Sequence, residues 1–159
     1  MTGGLRRGPA ALAPLVCLAL LPSCGSDPIF PEDYRSTFSP VSCCVYSIDH
    51  NLQYVKIWVN PESAAAYLAS DNPLPEGTTI VKEEYDGDDD TCTGTIVGFK
   101  AARKEAGFAP DSCDWFFQDL KPNRHVLREG DIGSCASCHG DAMYAATDCT
   151  ALAVRNSCP

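Results

Sequence analysis

Basic residues are scarce in this chain: 12 Lys and Arg stand against 21 Asp and Glu, a formal charge of −9 over 159 residues. A surface this acidic repels phosphate backbones, which excludes nucleic acid as a partner and leaves a basic protein or a small neutral or cationic molecule. Long apolar runs are missing too. The best, Ala10 to Leu21, falls well short of the roughly 20 residues that a membrane-spanning helix needs. There is no internal repeat, and with no second C-x-x-C the four ligands of a structural zinc site are not in place. The acidic stretch Asp86-Gly87-Asp88-Asp89-Asp90 lacks what a calcium loop requires. Thr91 stands where glycine is needed and Val97 where a bidentate glutamate is needed, so the stretch reads as a solvated hairpin tip.

What is present begins with a leader. Arg6 and Arg7 form a positive segment, Ala10 to Leu21 an apolar one, and Leu20-Leu21-Pro22-Ser23-Cys24-Gly25 follows. The last stretch resembles the lipobox of bacterial lipoproteins, in which the Cys, here Cys24, becomes the lipidated first residue of the mature chain. Gly25-Ser26 in place of an Asp beside that Cys implies the outer membrane. The expectation is therefore an exported protein at the periplasmic face or the cell surface, touching membrane through its lipid alone. The chain divides into a signal peptide over residues 1–23, a flexible Pro-, Ser- and Asp-rich tether over 24–40, and one domain over 41–159. Loss of the leader removes two basic residues and no acidic one, which deepens the negative charge.

Ten cysteines are unusually many. Cys17 leaves with the leader and Cys24 takes lipid. Cys135-Ala136-Ser137-Cys138-His139 is a C-x-x-C-H run, the attachment pattern of haem c. Thiols three positions apart can each form a thioether to one porphyrin vinyl group, and the following His is held under the iron. Cys135, Cys138 and His139 are therefore the cofactor residues, for one covalent haem c, with His139 the proximal iron ligand. Cys43, Cys44, Cys92, Cys113, Cys149 and Cys158 remain, an even set that an oxidising compartment would join in three disulfides of undetermined connectivity. Cys43 and Cys44 are adjacent and would bond each other only in a strained ring, so they tie to two different places.

The spacing of apolar residues predicts an α+β fold. Pro31 to Tyr34 can start a helical turn. Gln53 to Val59 alternates as a strand and stops at Asn60-Pro61, a helix cap followed by proline, ahead of a short helix over Glu62 to Ser70. Strands follow at Thr78 to Tyr85, Thr93 to Lys100 and Asp114 to Leu120, with a helical turn at Ala101 to Ala106. A helix from about Ser134 to Ala146 carries the haem motif. In Thr78 to Tyr85, alternation puts Ile80, Lys82 and Glu84 on one face and Thr79, Val81, Glu83 and Tyr85 on the other. The result is an antiparallel sheet with peripheral helices, haem packed on the sheet and an attachment helix at the C-terminus.

A strand ending Val59-Asn60-Pro61-Glu62-Ser63, then Pro75-Glu76-Gly77-Thr78 leading into Ile80-Val81-Lys82-Glu83, then Cys113-Asp114-Trp115-Phe116-Phe117, then C-x-x-C-H form an ordered set. Over residues 53 to 148 it resembles the cytochrome P-460 family and its relative cytochrome c′-beta. The resemblance implies a haem c on an antiparallel sheet, a homodimer, and five-coordinate iron ligated by His139. It also implies oxidation of hydroxylamine or a similar small nitrogen compound, or binding of nitric oxide. In cytochromes P-460 a strand lysine is joined to the porphyrin edge, and Lys82 holds the matching position; the plainer reading is an edge lysine, solvated or paired with Glu83 or Glu84. The carboxylate that assists proton transfer in that family is not matched, since Lys100 lies near its place. Phe99, Trp115, Phe116 and Phe117 are candidate walls of an apolar distal pocket. Of the other ligands on offer, Met143 lies one helical turn beyond His139, His125 sits in a turn, and His50 has no supporting context, so an open sixth position is expected. Two other readings stay open: a single-electron carrier working with a redox partner protein, and a haem-free, disulfide-stapled lipoprotein.

Overall fold

The computed structural model describes residues 25–48, 50–69 and 74–139. The chain folds as one antiparallel seven-stranded sheet: β1 (Ser39–Pro40), β2 (Val45–Ser47), β3 (Gln53–Val59), β4 (Thr79–Tyr85), β5 (Ile96–Lys104), β6 (Trp115–Leu120) and β7 (Val126–Gly130). The spatial order is β1-β3-β4-β5-β6-β7, with β2 also paired to β3. Helices α1 (Tyr34–Thr37), α2 (Pro61–Ala69) and α3 (Gly133–His139) lie at its margins. The α+β expectation holds, with more strands than the pattern reveals. Cys24, expected to carry lipid, the far end of the expected attachment helix, Met143, Cys149 and Cys158 lie outside the described residues.

Both faces of the central strands are covered. One core joins Ile57, Val59, Ile80, Ala102, Trp115 and Phe117 with Ala64 and Tyr67 of α2. The opposite core joins Trp58, Val81, Phe99, Ala101 and Leu120 with Phe30 and Tyr34. The second core corrects the expected tether. Phe30 and Tyr34 are buried, and burial of each aromatic contributes about 1.5–3 kcal/mol. The Ile29 backbone N–H donates to Gln118 Oε1 at 2.9 Å, and Arg124 donates to the Phe30 and Pro31 carbonyls. Residues 29–40 thus form the lid of the back of the sheet. Composition hides this because the anchoring aromatics are spaced among prolines and acids.

The expected helical turn at Ala101 to Ala106 is also corrected. Ala101 and Ala102 continue β5 and pair with Val81 and Ile80. Alanine's helix preference is worth less than a full set of ladder bonds in a two-sided sheet. A disulfide joins Cys44 to Cys92 across 48 residues. Closing a loop of that length is worth about 4 kcal/mol in the chain-entropy description. Cys43 and Cys113 are disulfide-bonded as well.

The back of the sheet is fastened by one carboxylate. Glu83 is fully buried and accepts hydrogen bonds from Tyr34 Oη, Arg35 Nε at 2.6 Å and Tyr85 Oη at 2.7 Å. Burial alone would raise its pKa, but the bonds from Arg35, Tyr34 and Tyr85 outweigh it and hold the group below the usual carboxylate range. A carboxylate lowered in this way stabilises the fold above its unfolded-state pKa and loses that contribution as pH falls through the folded value. Glu83→Gln is expected to lower stability by about 2 kcal/mol at pH 7 and to flatten the acid limb of the stability profile. Urea unfolding midpoints between pH 3 and 7 check this, and coincident curves for variant and parent would contradict it.

Candidate functional site

Antiparallel register sets the site. On the face opposite Glu83, Ile57 pairs with Lys82, Lys82 with Lys100, Lys100 with Asp119 and Asp119 with Arg128. Partners in register point to the same side of a sheet, so these residues form one rung that is charged for most of its length. The neighbouring rung is apolar: Val59, Ile80, Ala102 and Phe117. A cavity of about 370 Å³ lies over both rungs, within the size range of small-molecule and cofactor sites. Its opposite wall is α3, which presents Cys135, Cys138 and His139; Tyr67 of α2 and the His50–Asn51 turn complete the lining.

Helix α3 is aimed by a short anchor. Cys135 and Ala136 both donate backbone N–H bonds to the Ile132 carbonyl, at 2.7 and 2.9 Å, and Ile132 is buried in the front core. Ser112 Oγ donates to Asp131 at 3.0 Å and ties the same corner to the loop before β6. Cys135 is half-buried and Cys138 exposed, and both are free thiols although Cys43, Cys44, Cys92 and Cys113 are disulfide-bonded. Two free thiols and an imidazole on one wall of a cavity whose floor is apolar along one rung form a donor set that fits haem c: two thioether bonds, one axial nitrogen and a hydrophobic seat. Burial pushes the Cys135 thiol up from its ordinary value.

The charged rung is held by ion pairs. Lys100 Nζ lies 2.5 Å from Asp119 Oδ1 and 3.4 Å from Glu84 Oε2, and Arg128 lies 2.7 Å from Asp119 Oδ2. Burial would raise Asp119, but the hydrogen bonds from Lys100 and Arg128 keep it below the carboxylate range. Burial would likewise lower Lys100, yet the bond to Asp119 and the charge of Glu84 hold it above its usual value. Glu84 moves the other way: burial raises it, and Lys100 and Lys82 offset only part. Gly98 lies across from Glu84, and a Cβ there would come within 2.9 Å of the Glu84 carboxylate. Glycine is what lets that acid fit.

The expected residues are distributed as follows. Lys82 stands on the cavity face with Ile80 and Glu84, as alternation requires, and in a strand flanked by β3 and β5 rather than at an edge. Its Nζ donates to His50 Nε2. Of the four expected aromatic walls, Phe117 lines the cavity. Phe99 is a correction: it faces the back core, with its ring 5.7 Å from Phe30 and 6.1 Å from Tyr34. Phe116 points away, edge-on to Phe108 and under Arg103, and Trp115 packs beneath Lys104. His125 is exposed in the β6–β7 turn.

His50, named among the ligands on offer and set aside for want of context, is brought to the cavity by the β2–β3 turn. Its ring centroid lies 6.2 Å from that of His139, and its Nδ1 lies 2.7 Å from Ser47 Oγ. With Lys82 donating to Nε2, the imidazole proton sits on Nδ1 and is donated to Ser47. Burial, followed by the charges of Lys82, His139 and Lys100, pushes the His50 pKa down to about 3, so the ring is neutral near pH 7. Asp119 and Arg128 were missed; strand partners are set by register across distant segments, and no local signal in the sequence marks them.

The family model for Cytochrome P460 matches residues 31–150, well over half of the chain and all of the described cavity. No curated protein matches the chain.

The thiol environments predict an order of reaction. In protein made without haem attachment, Cys138 is expected to alkylate faster than Cys135 at pH 8, because Cys135 is less accessible and its thiolate is disfavoured by burial. Peptide mass spectrometry after timed iodoacetamide treatment reads this. Equal rates, or Cys135 first, would overturn the placement of α3 against the cavity.

Proposed function

The chain belongs to the cytochrome P460 family, and from that premise we propose that it is an exported, lipid-anchored haem c protein that oxidises hydroxylamine or a similar small nitrogen compound. Cys135 and Cys138 would carry the porphyrin and His139 the iron. The bound group would supply a redox-active coordination position for the small molecule's nitrogen or oxygen. The rest is the work of the chain. Asp119, kept ionised by Lys100 and Arg128, is an acceptor for N–H and O–H groups. Lys82 and Lys100 place positive charge along the same wall, which favours a substrate losing protons as it is oxidised. Ile80, Ala102 and Phe117 exclude water from the adjoining floor. A partner redox protein, basic on its docking face, would take the electrons from this acidic protein.

The charged rung is the observation that carries this reading over gas binding. A pocket for nitric oxide alone would be walled by aromatics; here Phe99 and Phe116 face elsewhere, Trp115 lies in the front core without lining the cavity, and of the four expected walls Phe117 alone does so. The Cys44–Cys92 disulfide supports the oxidising compartment that export requires. Anchoring through Cys24 rests on the lipobox-like stretch, and a homodimer on the family resemblance.

The test is direct. Full-length protein made with a cytochrome c maturation system is expected to give the pyridine haemochrome of two thioethers, and hydroxylamine is expected to reduce the ferric form. Lack of covalent haem would end the reading. A haem that takes up nitric oxide but is inert to hydroxylamine would replace oxidation with gas binding.

A further inference from the structure

The residues that follow Cys24 leave no slack between it and the sheet. Ser26 Oγ donates to the Glu129 carboxylate of β7, Gln118 Nε2 of β6 donates to the Asp27 carbonyl at 3.0 Å, and the Ile29 N–H donates to Gln118 Oε1 at 2.9 Å. The next two residues are held as firmly. Arg124 of the β6–β7 turn donates to the Phe30 and Pro31 carbonyls at 2.6 and 2.7 Å, and its guanidinium lies over the Phe30 ring. Only two peptide units separate Cys24 from Ser26, so their Cα atoms lie within about 8 Å of each other. Whatever holds Cys24 therefore also holds β7, the last strand of the sheet, whose outer edge has no strand partner among the described residues.

That edge has its own composition. Leu127 of β7 is a large apolar side chain left 52% exposed. The eight residues from Lys121 to Arg128 hold three of the chain's 12 basic residues and no acid, in a protein of formal charge −9. Lys121 and His125 are exposed in the turn. The flanking acids are occupied: Glu129 accepts from Ser26 and from Gln118 at 2.9 Å, and Asp119 is paired with Lys100 and Arg128. An acidic protein drawn against an anionic membrane is repelled unless the part it presents lacks free acids.

Resting on the lipid anchoring proposed above and not on the haem, we propose that the β7 edge and the β6–β7 turn dock on the phospholipid surface that holds Cys24. Leu127 enters the headgroup boundary and Lys121 faces the lipid phosphates. This departs from the expectation of membrane contact through lipid alone. The anchor then fixes an orientation. The sheet stands with β7 at the bilayer, and β3, four strand spacings along, is roughly 19 Å farther across the sheet.

The experiment uses full-length protein, lipidated in a bacterial host and reconstituted into vesicles of phosphatidylethanolamine and phosphatidylglycerol that include a phospholipid with a diazirine at its headgroup. After illumination, peptide mass spectrometry is expected to find lipid adducts in residues 121–130 at least about threefold more often than in β2 and its turn. Lys121→Glu combined with Leu127→Asp is expected to lower those adducts by about the same factor while the protein stays anchored. Both positions are exposed, so the variant is expected to keep the wild-type circular dichroism. Adducts spread evenly over the two segments, or unchanged by the substitutions, overturn the proposal. A dimer in detergent, seen by sedimentation and dissolved by the same substitutions, also overturns it, since the edge then belongs to a second copy. An N-terminal peptide without lipid at Cys24 overturns both the docking and the anchoring and leaves the haem reading standing.

Discussion

Strand β4 imposes the constraint on which everything else depends. A strand sends alternate side chains to opposite faces, and here both faces are buried, so seven consecutive residues are committed with no room for error. Ile80 and Lys82 line the cavity and Glu84 shares their face, while Val81, Glu83 and Tyr85 belong to the back of the sheet. A slip of one residue would exchange the sets. Glu83 would then enter the cavity without Arg35 and the two tyrosines, and Lys82 would enter an aromatic core. No such slip can be accommodated partially. The two neighbours that fix the register, β3 and β5, therefore define the cofactor cavity as much as the residues that line it.

Adjacent carboxylates show how strongly environment decides chemistry. Glu83 and Glu84 are one residue apart and equally hidden from solvent, yet burial prevails at one and fails at the other. Glu83 receives three donors that fix its charge, and it serves as the rivet between α1 and the sheet. Glu84 has the Lys100 ammonium at 3.4 Å, a longer contact, and its pKa rises. The acid that binds protons more readily lies beside the cavity, and the one that holds its charge lies behind it. The same residue type is thus a fixed charge on one face and a more readily protonated group on the other, decided by the number and closeness of its donors.

Legibility in the sequence followed locality. C-x-x-C-H is complete within five residues and identifies its chemistry unaided. Alternation in β4 is nearly as local and correctly grouped Ile80, Lys82 and Glu84. The partners of those residues were hidden, since Asp119 reaches Lys100 only through a pairing set by the whole β5–β6 register. Phe99 illustrates the same point from the other side: it has the composition of a pocket wall, and one step of alternation sends it to the back core. Residues 29–40 misled because a segment rich in proline and acid reads as linker, while two buried aromatics suffice to dock it. Local propensity lost to tertiary pairing at Ala101 and Ala102 in the same way.

The position of the haem motif at the far end of the fold follows from these constraints. Helix α3 buries no residue of its own completely; Cys135 and Ala136 are only partly covered by the front core, and its secure ties run through Ile132 at its start. Hydrophobic packing alone is therefore a weak reason for α3 to stay over the cavity. Two thioether bonds and an axial nitrogen would supply the missing attachment, making the prosthetic group part of the core. The sheet, its back lid and the Cys44–Cys92 disulfide complete a rigid wall without calling on α3. The same wall then presents its charged groups to the cavity while α3, lightly packed, lies over it. A sheet fastened on both faces and an attachment helix held chiefly at its start is the division of labour that this chain encodes.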